Sequence, residues 1–85
     1  MITYEDCVAL SDLTREEIAA IAEHENIPML AAAEMGNYLL HRPDGVPALR
    51  RMIVDDIVNA EAQGDFRHAR ELVGVLHRFD ISHPA

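Results

Sequence analysis

Three consecutive residues in the first third of the chain have side chains that could do chemistry. Glu23, His24 and Glu25 stand in a row within the stretch AEHENIP. A histidine between two acids is typical of a metal site or of an acid–base pair. The same stretch also fits the end of one helix and the start of the next, because a proline such as Pro28 is well suited to the first helical position.

The spacing of the histidines argues against a metal. Two histidines on a helix bind one ion when they are three or four residues apart. The five histidines lie at positions 24, 41, 68, 77 and 83, so no pair has that spacing. Cys7, the single cysteine, stands beside Glu5 and Asp6, whose charges disfavour a thiolate, and it is predicted to be a small buried side chain. We therefore predict no metal site, no catalytic residue and no cofactor, since phosphate-binding and nucleotide-binding motifs are also absent.

A polar strip on the third predicted helix is the remaining candidate site. Glu34, Asn37 and His41 share one face at about 100° per residue. Glu25 falls in the middle of an apolar stripe at the end of the preceding helix, where a carboxylate needs a hydrogen-bond donor. We expect that donor to be His24, His41 or a backbone N–H. A local bond that fixes the turn is the simpler hypothesis, and a ligand pocket or small active site using Glu25, Glu34 and His41 is the alternative.

Charge limits the partners that the chain can bind. The net charge is -8, and residues 1–36 hold eight acidic residues against one base, Arg15. Such a surface repels nucleic acid and anionic membranes. Residues 14–40 have the order of a helix-turn-helix motif, but Asn37 is the sole residue of the second helix suited to reading bases, so nucleic-acid binding is the less favoured hypothesis. No apolar run reaches the ~18 residues of a membrane span and the N-terminus lacks a signal-peptide pattern, so we expect a cytoplasmic protein.

Helix signals divide the chain into one short and four longer segments. The apolar residues recur at helical spacing and nowhere alternate with period two, which indicates an all-α bundle of a single domain, residues 1–85. The predicted helices are 4–9, 15–25, 28–41, 47–62 and 66–79, with a loose tail at 80–85. Thr14 and Glu17 form the pattern of a capping box, and Asp65 is suited to cap the last helix. That helix is expected to bury its apolar residues, among them Phe66 and Val73.

The apolar residues exceed what one small core can cover. The third segment is apolar almost all round, so we expect it to be central or to lie at an interface. Val54 and Val58 form a second stripe on the fourth segment. With Met29 and Leu40 they make up a predicted interface. We therefore expect a protein–protein interaction or regulatory domain, with self-association as a homodimer as one form of it.

The first half of the chain also resembles a known group of proteins. The stretches YEDCVALSDLT, EEIAAIAEHENIP and AAEMGNYLL are similar to those of short uncharacterised bacterial all-helical proteins of unknown function. This resemblance implies a helical fold and no activity, cofactor or catalytic residue.

Overall fold

Five helices account for most of the chain in the computed structural model, which describes residues 3–10 and 12–84, the side chains of residues 7, 9 and 10 excepted. The helices are α1 (Tyr4–Leu10), α2 (Arg15–Glu25), α3 (Met29–Leu40), α4 (Gly45–Ala62) and α5 (Phe66–Ser82). No strand occurs within the described ranges. The all-α prediction is confirmed. The predicted burial of Cys7 lies outside the described side chains.

Local capping explains where the helices begin. The Thr14 hydroxyl accepts from the Glu17 N–H at 3.2 Å, and the Glu17 carboxylate accepts from the Thr14 N–H at 2.8 Å, which is the predicted capping box. Asp65 accepts from the His68 N–H and caps α5, also as predicted. The turn between α4 and α5 includes Gly64 at φ 78°, a left-handed conformation that glycine adopts without strain.

Two helix boundaries differ from the prediction by two residues or more, and the others agree within one residue. Helix α4 begins at Gly45 rather than at Pro47, because a proline fits anywhere in the first turn, where N–H groups have no partner within the helix. Helix α5 continues through Ser82, so residues 80–82 are not part of a loose tail. Asp80 receives Nε–H of Arg50 at 2.9 Å, and this contact with α4 holds the last turn in place.

Helix α2 occupies the centre of the bundle and packs on α3, α4 and α5, while α4 and α5 form a long antiparallel hairpin. The core is aliphatic with a single large aromatic side chain, Phe79. Helix α3, expected to be central or to lie at an interface, packs on α1, α2 and α4 but is not buried all round. Helix α3 buries only Ala32, Ala33 and Gly36, while Leu30 and Tyr38 face outward, because small residues let α3 lie close against the core without being surrounded by it.

Candidate functional site

In the described part of the chain, no hydrogen bond joins the predicted polar residues of α2, His24 and Glu25, to those at α3, which are Glu34, Asn37 and His41. His41 Nδ1 contacts the Asn37 carbonyl at 2.7 Å, one turn back in α3. Glu34 is exposed and makes no hydrogen bond or ion pair within the described part of the chain. Glu25 is also exposed, and its carboxylate contacts His24 Nδ1 at 2.7 Å. The described contacts therefore give no assembled pocket for the alternative of a ligand-binding protein or enzyme.

The acid–histidine–acid triplet instead connects three helices. His24 Nε2 lies 3.0 Å from Asp55 Oδ2 on α4, while its Nδ1 faces Glu25. Glu23 Oε1 lies 2.6 Å from Nε2 of His68 on α5. Glu25 was predicted to lie in the middle of an apolar stripe and to need a hydrogen-bond donor, with His24 as one candidate. Glu25 reaches the surface and pairs with its neighbour, whereas Glu23 and His24 make the long-range contacts.

A buried carboxyl lies behind these pairs. Asp56 on α4 is 1% exposed, and its Oδ2 is fully enclosed with no hydrogen-bond partner among the described residues. Loss of hydration on burial, followed by the negative charge of Glu23, raises the pKa of Asp56 to about 7. His24 and His68 oppose this rise by their charge when protonated. Asp56 is therefore held largely neutral by the fold at mildly acidic pH.

Both histidines favour their protonated forms in this setting. Partial burial lowers the pKa of His24, but the hydrogen bonds to Asp55 and Glu25 more than offset it, so the pKa lies above 6.5. The hydrogen bond to Glu23 is the main cause that raises the pKa of His68 above 6.5. The junction of α2, α4 and α5 thus gains protons readily. Among the described residues, no group of three or more His, Cys, Asp or Glu side chains could hold a metal ion.

A second candidate site is an exposed apolar surface on the α4–α5 hairpin. Val58 is 56% exposed, Phe66 64% and Val73 51%, and Val54 beside them is half-buried. We call these four residues the hairpin face. The expectation that Phe66 and Val73 are buried was wrong: they follow the edge of the apolar stripe of α5, and no described element covers that edge.

Geometry places the four side chains on one side of the molecule. Residues two positions apart on a helix point about 160° away from each other. Asp56 and His68 face α2, so Val54 and Phe66, each two residues away from one of them, point away from α2. Arg50 and Asp80 extend the two stripes, four residues before Val54 and seven after Val73.

The ion pair between Arg50 and Asp80 shows that these edges of α4 and α5 are adjacent. The valines of α4 and the exposed apolar residues of α5 therefore lie on the side of the hairpin that faces away from α2.

The predicted interface is only partly on this surface. Val58 is exposed and Val54 half-buried, but Met29 and Leu40 are partly buried and pack against the core. Phe66 and Val73 take their place. Their exposure could have been suspected from the sequence, because the apolar arc of α5 is wider than one helix contact needs.

Formal charge is divided between the two parts of the bundle. Residues 4–40, which span α1 to α3, hold eight acidic residues and one arginine, whereas residues 45–82 hold six acidic residues and five arginines. The helices that bear the hairpin face are thus nearly neutral. The net negative charge of the described helices is therefore concentrated on α1 to α3.

The described helices include none that is both long enough and apolar enough to span a bilayer. The resemblance to short bacterial helical proteins stays a prediction. No protein-family model, no curated protein and no solved structure matches this chain.

Proposed function

We propose that this protein is a non-enzymatic interaction domain of the cytoplasm that self-associates through the hairpin face. The observation that supports the proposal is the exposure of Val58, Phe66 and Val73 on the nearly neutral α4–α5 hairpin. In a monomer these three large apolar side chains remain in contact with water. A symmetric pair of hairpins covers them with the same surface of a second copy.

The size of the hairpin face sets the expected strength of self-association. Its exposed apolar side chains present on the order of 250 Å² in each copy. At roughly 25 cal/mol per Å², burial on both copies contributes about 12 kcal/mol before the costs of association. Those costs are roughly 4–15 kcal/mol. At the lowest of these costs about 8 kcal/mol remains, which corresponds to a dissociation constant of about 1 µM, and higher costs weaken the dimer from there. We therefore expect a dimer with a micromolar or weaker dissociation constant, as is typical of small or transient interfaces.

Analytical ultracentrifugation at roughly 5 to 300 µM, spanning the expected range of association, tests the proposal. The wild type should shift from monomer toward dimer, and Phe66→Ser should remain monomeric. Tyr38→Ser is the matched control, because Tyr38 is an aromatic residue of similar exposure, 61%, that lies on α3 away from the hairpin face. A monomeric wild type across this range overturns the proposal, as does a Phe66→Ser variant that dimerises like the wild type.

The acidic surface supports one further expectation about partners. The helices α1 to α3 hold almost all of the net negative charge, so phosphate backbones are repelled. We expect no salt-sensitive shift with DNA or RNA in an electrophoretic assay.

A further inference from the structure

A groove of about 220 Å³ lies between α2 and α5, on the side of α5 away from the hairpin face. Its floor is apolar and consists of Ala19 and Ala20 from α2 with Leu72 and Val75 from α5. The groove exists because two consecutive alanines face the α5 side, and their methyl groups are too short to fill the space between the helices. Ala20 is buried, while Ala19 remains exposed to whatever enters.

The rim of the groove is acidic. Glu16 and Glu23 lie on α2 and Glu71 on α5. Glu16 and Glu23 are seven residues apart, which places them on one side of α2 and about 10 Å from each other. No arginine lines the groove, and His68 is the single basic residue among the described lining residues.

His68 is engaged with the rim, at 2.6 Å from Glu23 and 3.8 Å from Glu71. Glu16 makes no hydrogen bond or ion pair among the described residues.

We infer that this groove docks a basic segment of a partner protein, whose arginine or lysine side chains lay their aliphatic stems on the alanine–leucine–valine floor and direct their charged ends to Glu16 and Glu71. Charge complementarity selects this occupant, because an apolar floor under an acidic rim matches the two parts of a long basic side chain. The rest of residues 4–40 adds to the attraction, with six further acidic residues against one arginine.

The spacing of the rim favours a peptide segment over a small organic cation. His68 contacts both Glu23 and Glu71, so these two carboxylates belong to one end of the rim and Glu16 to the other. A single small cation cannot approach both ends, because they are about 10 Å apart along α2. A partner segment can match this distance of about 10 Å with two basic residues. They are seven positions apart on one face of a helix, or three positions apart in an extended segment. The inference does not depend on self-association, because the groove and the hairpin face lie on different sides of α5.

Fluorescence anisotropy with a labelled helical peptide tests the inference. The probe carries arginines seven residues apart with leucines between them, and a second probe has glutamates in place of the arginines. The arginine peptide should bind the wild-type protein and the glutamate peptide should not. If the arginine peptide shows no saturable binding at protein concentrations up to roughly 1 mM, the inference fails.

Two pairs of variants distinguish peptide binding in the groove from non-specific attraction of a basic peptide to an acidic protein. Glu16→Gln with Glu71→Gln should weaken binding about fivefold or more, since two charge-assisted contacts are lost. Its control is Glu5→Gln with Glu34→Gln, which removes the same charge from exposed positions elsewhere and should change the dissociation constant less than about twofold.

Ala19→Leu fills the groove without changing any charge, and we expect it to weaken binding at least as strongly. Ala31→Leu, at an exposed alanine of α3, is its control and should bind normally. Equal weakening by the two double glutamine variants, or normal binding by Ala19→Leu, overturns the inference. Circular dichroism of each variant confirms folding, and ultracentrifugation of Ala19→Leu should show unchanged self-association.

Discussion

Replacement of the buried Asp56 by asparagine should stabilise the protein at pH 8. Asparagine keeps the shape of the side chain and removes its charge, so the comparison isolates ionisation. In the unfolded chain the carboxyl has its ordinary pKa of 3.8, whereas burial and the charge of Glu23 raise the pKa in the folded protein to about 7. Folding therefore forces Asp56 to bind a proton, or to remain charged inside the core.

The sign and size of the effect of Asp56 on stability follow from proton linkage. Between pH 3.8 and about 7 the folded state binds more protons at Asp56 than the unfolded state, so stability falls as the pH rises through this window. The full shift corresponds to about 4 kcal/mol of destabilisation above pH 7, of which about 3 kcal/mol develops between pH 5 and pH 8.

His24 and His68 change stability in the same direction. A histidine whose pKa is raised by folding stabilises the protein below its unfolded pKa of 6.5, and that contribution is lost as the pH rises through the folded value. The wild type should therefore be more stable at pH 5 than at pH 8. Asp56→Asn should remove the larger part of the slope and leave the part that the histidines produce.

Urea unfolding followed by circular dichroism at pH 5, 6, 7 and 8 measures this effect at constant ionic strength. Asp55→Asn is the matched control, because Asp55 is the adjacent aspartate but is exposed enough to stay hydrated and accepts a hydrogen bond from His24. The Asp55→Asn variant should be less stable than the wild type at pH 5 and no more stable than the wild type at pH 8. A wild type whose stability is flat or rises from pH 5 to pH 8 would refute the reasoning, and so would an Asp56→Asn variant that is less stable than the wild type at pH 8.

Two further substitutions test the packing and capping that position these surfaces. Gly45→Ala should lower the free energy of unfolding by more than about 3 kcal/mol, because a Cβ at this position overlaps the carbonyl oxygen of Leu39. Its control is Gly74→Ala, in an open part of α5, which should raise the free energy of unfolding by about 0.5–1 kcal/mol. Equal effects of the two variants in urea unfolding would contradict the close approach of Gly45 to Leu39. Thr14→Ala should lower the free energy of unfolding by about 1 kcal/mol, because α2 loses its cap, while Thr14→Ser should keep most of the wild-type stability. An unchanged unfolding midpoint in the alanine variant would exclude a role for the capping box.

Features that depend on neighbouring residues were predictable from the sequence. The α2 capping box needs only Thr14 and Glu17, three positions apart, and the Asp65 cap needs only the following turn. The same local reasoning relates Asn37 to His41, whose Nδ1 contacts the Asn37 carbonyl one turn back, although His41 itself follows the end of α3.

Features that depend on how helices pack were not predictable in the same way. Asp56 lies three residues after Ile53 and four before Ala60, both buried, so its position on the core side was visible in the sequence. What the pattern could not supply is that His24 reaches Asp55, 31 positions away, or that Glu23 reaches His68, 45 positions away. The exposure of Phe66 and Val73 lies between these cases. The wide apolar arc of α5 is visible in the sequence, but only the packing shows that no described helix covers that side of the hairpin.

The triplet Glu23, His24 and Glu25 illustrates why a row of chemically capable residues on a helix need not be an active site. Consecutive helical side chains diverge by about 100°, so the three cannot converge on one ligand. Here they diverge toward different partners: Glu23 to α5, His24 to α4, and Glu25 back to His24. Because Asp56 lies behind the two histidine contacts, the triplet makes the stability of the α2–α4–α5 junction sensitive to pH. Glu23 also forms one end of the groove rim, so proton binding at His68 should weaken the attraction of that end for a basic partner.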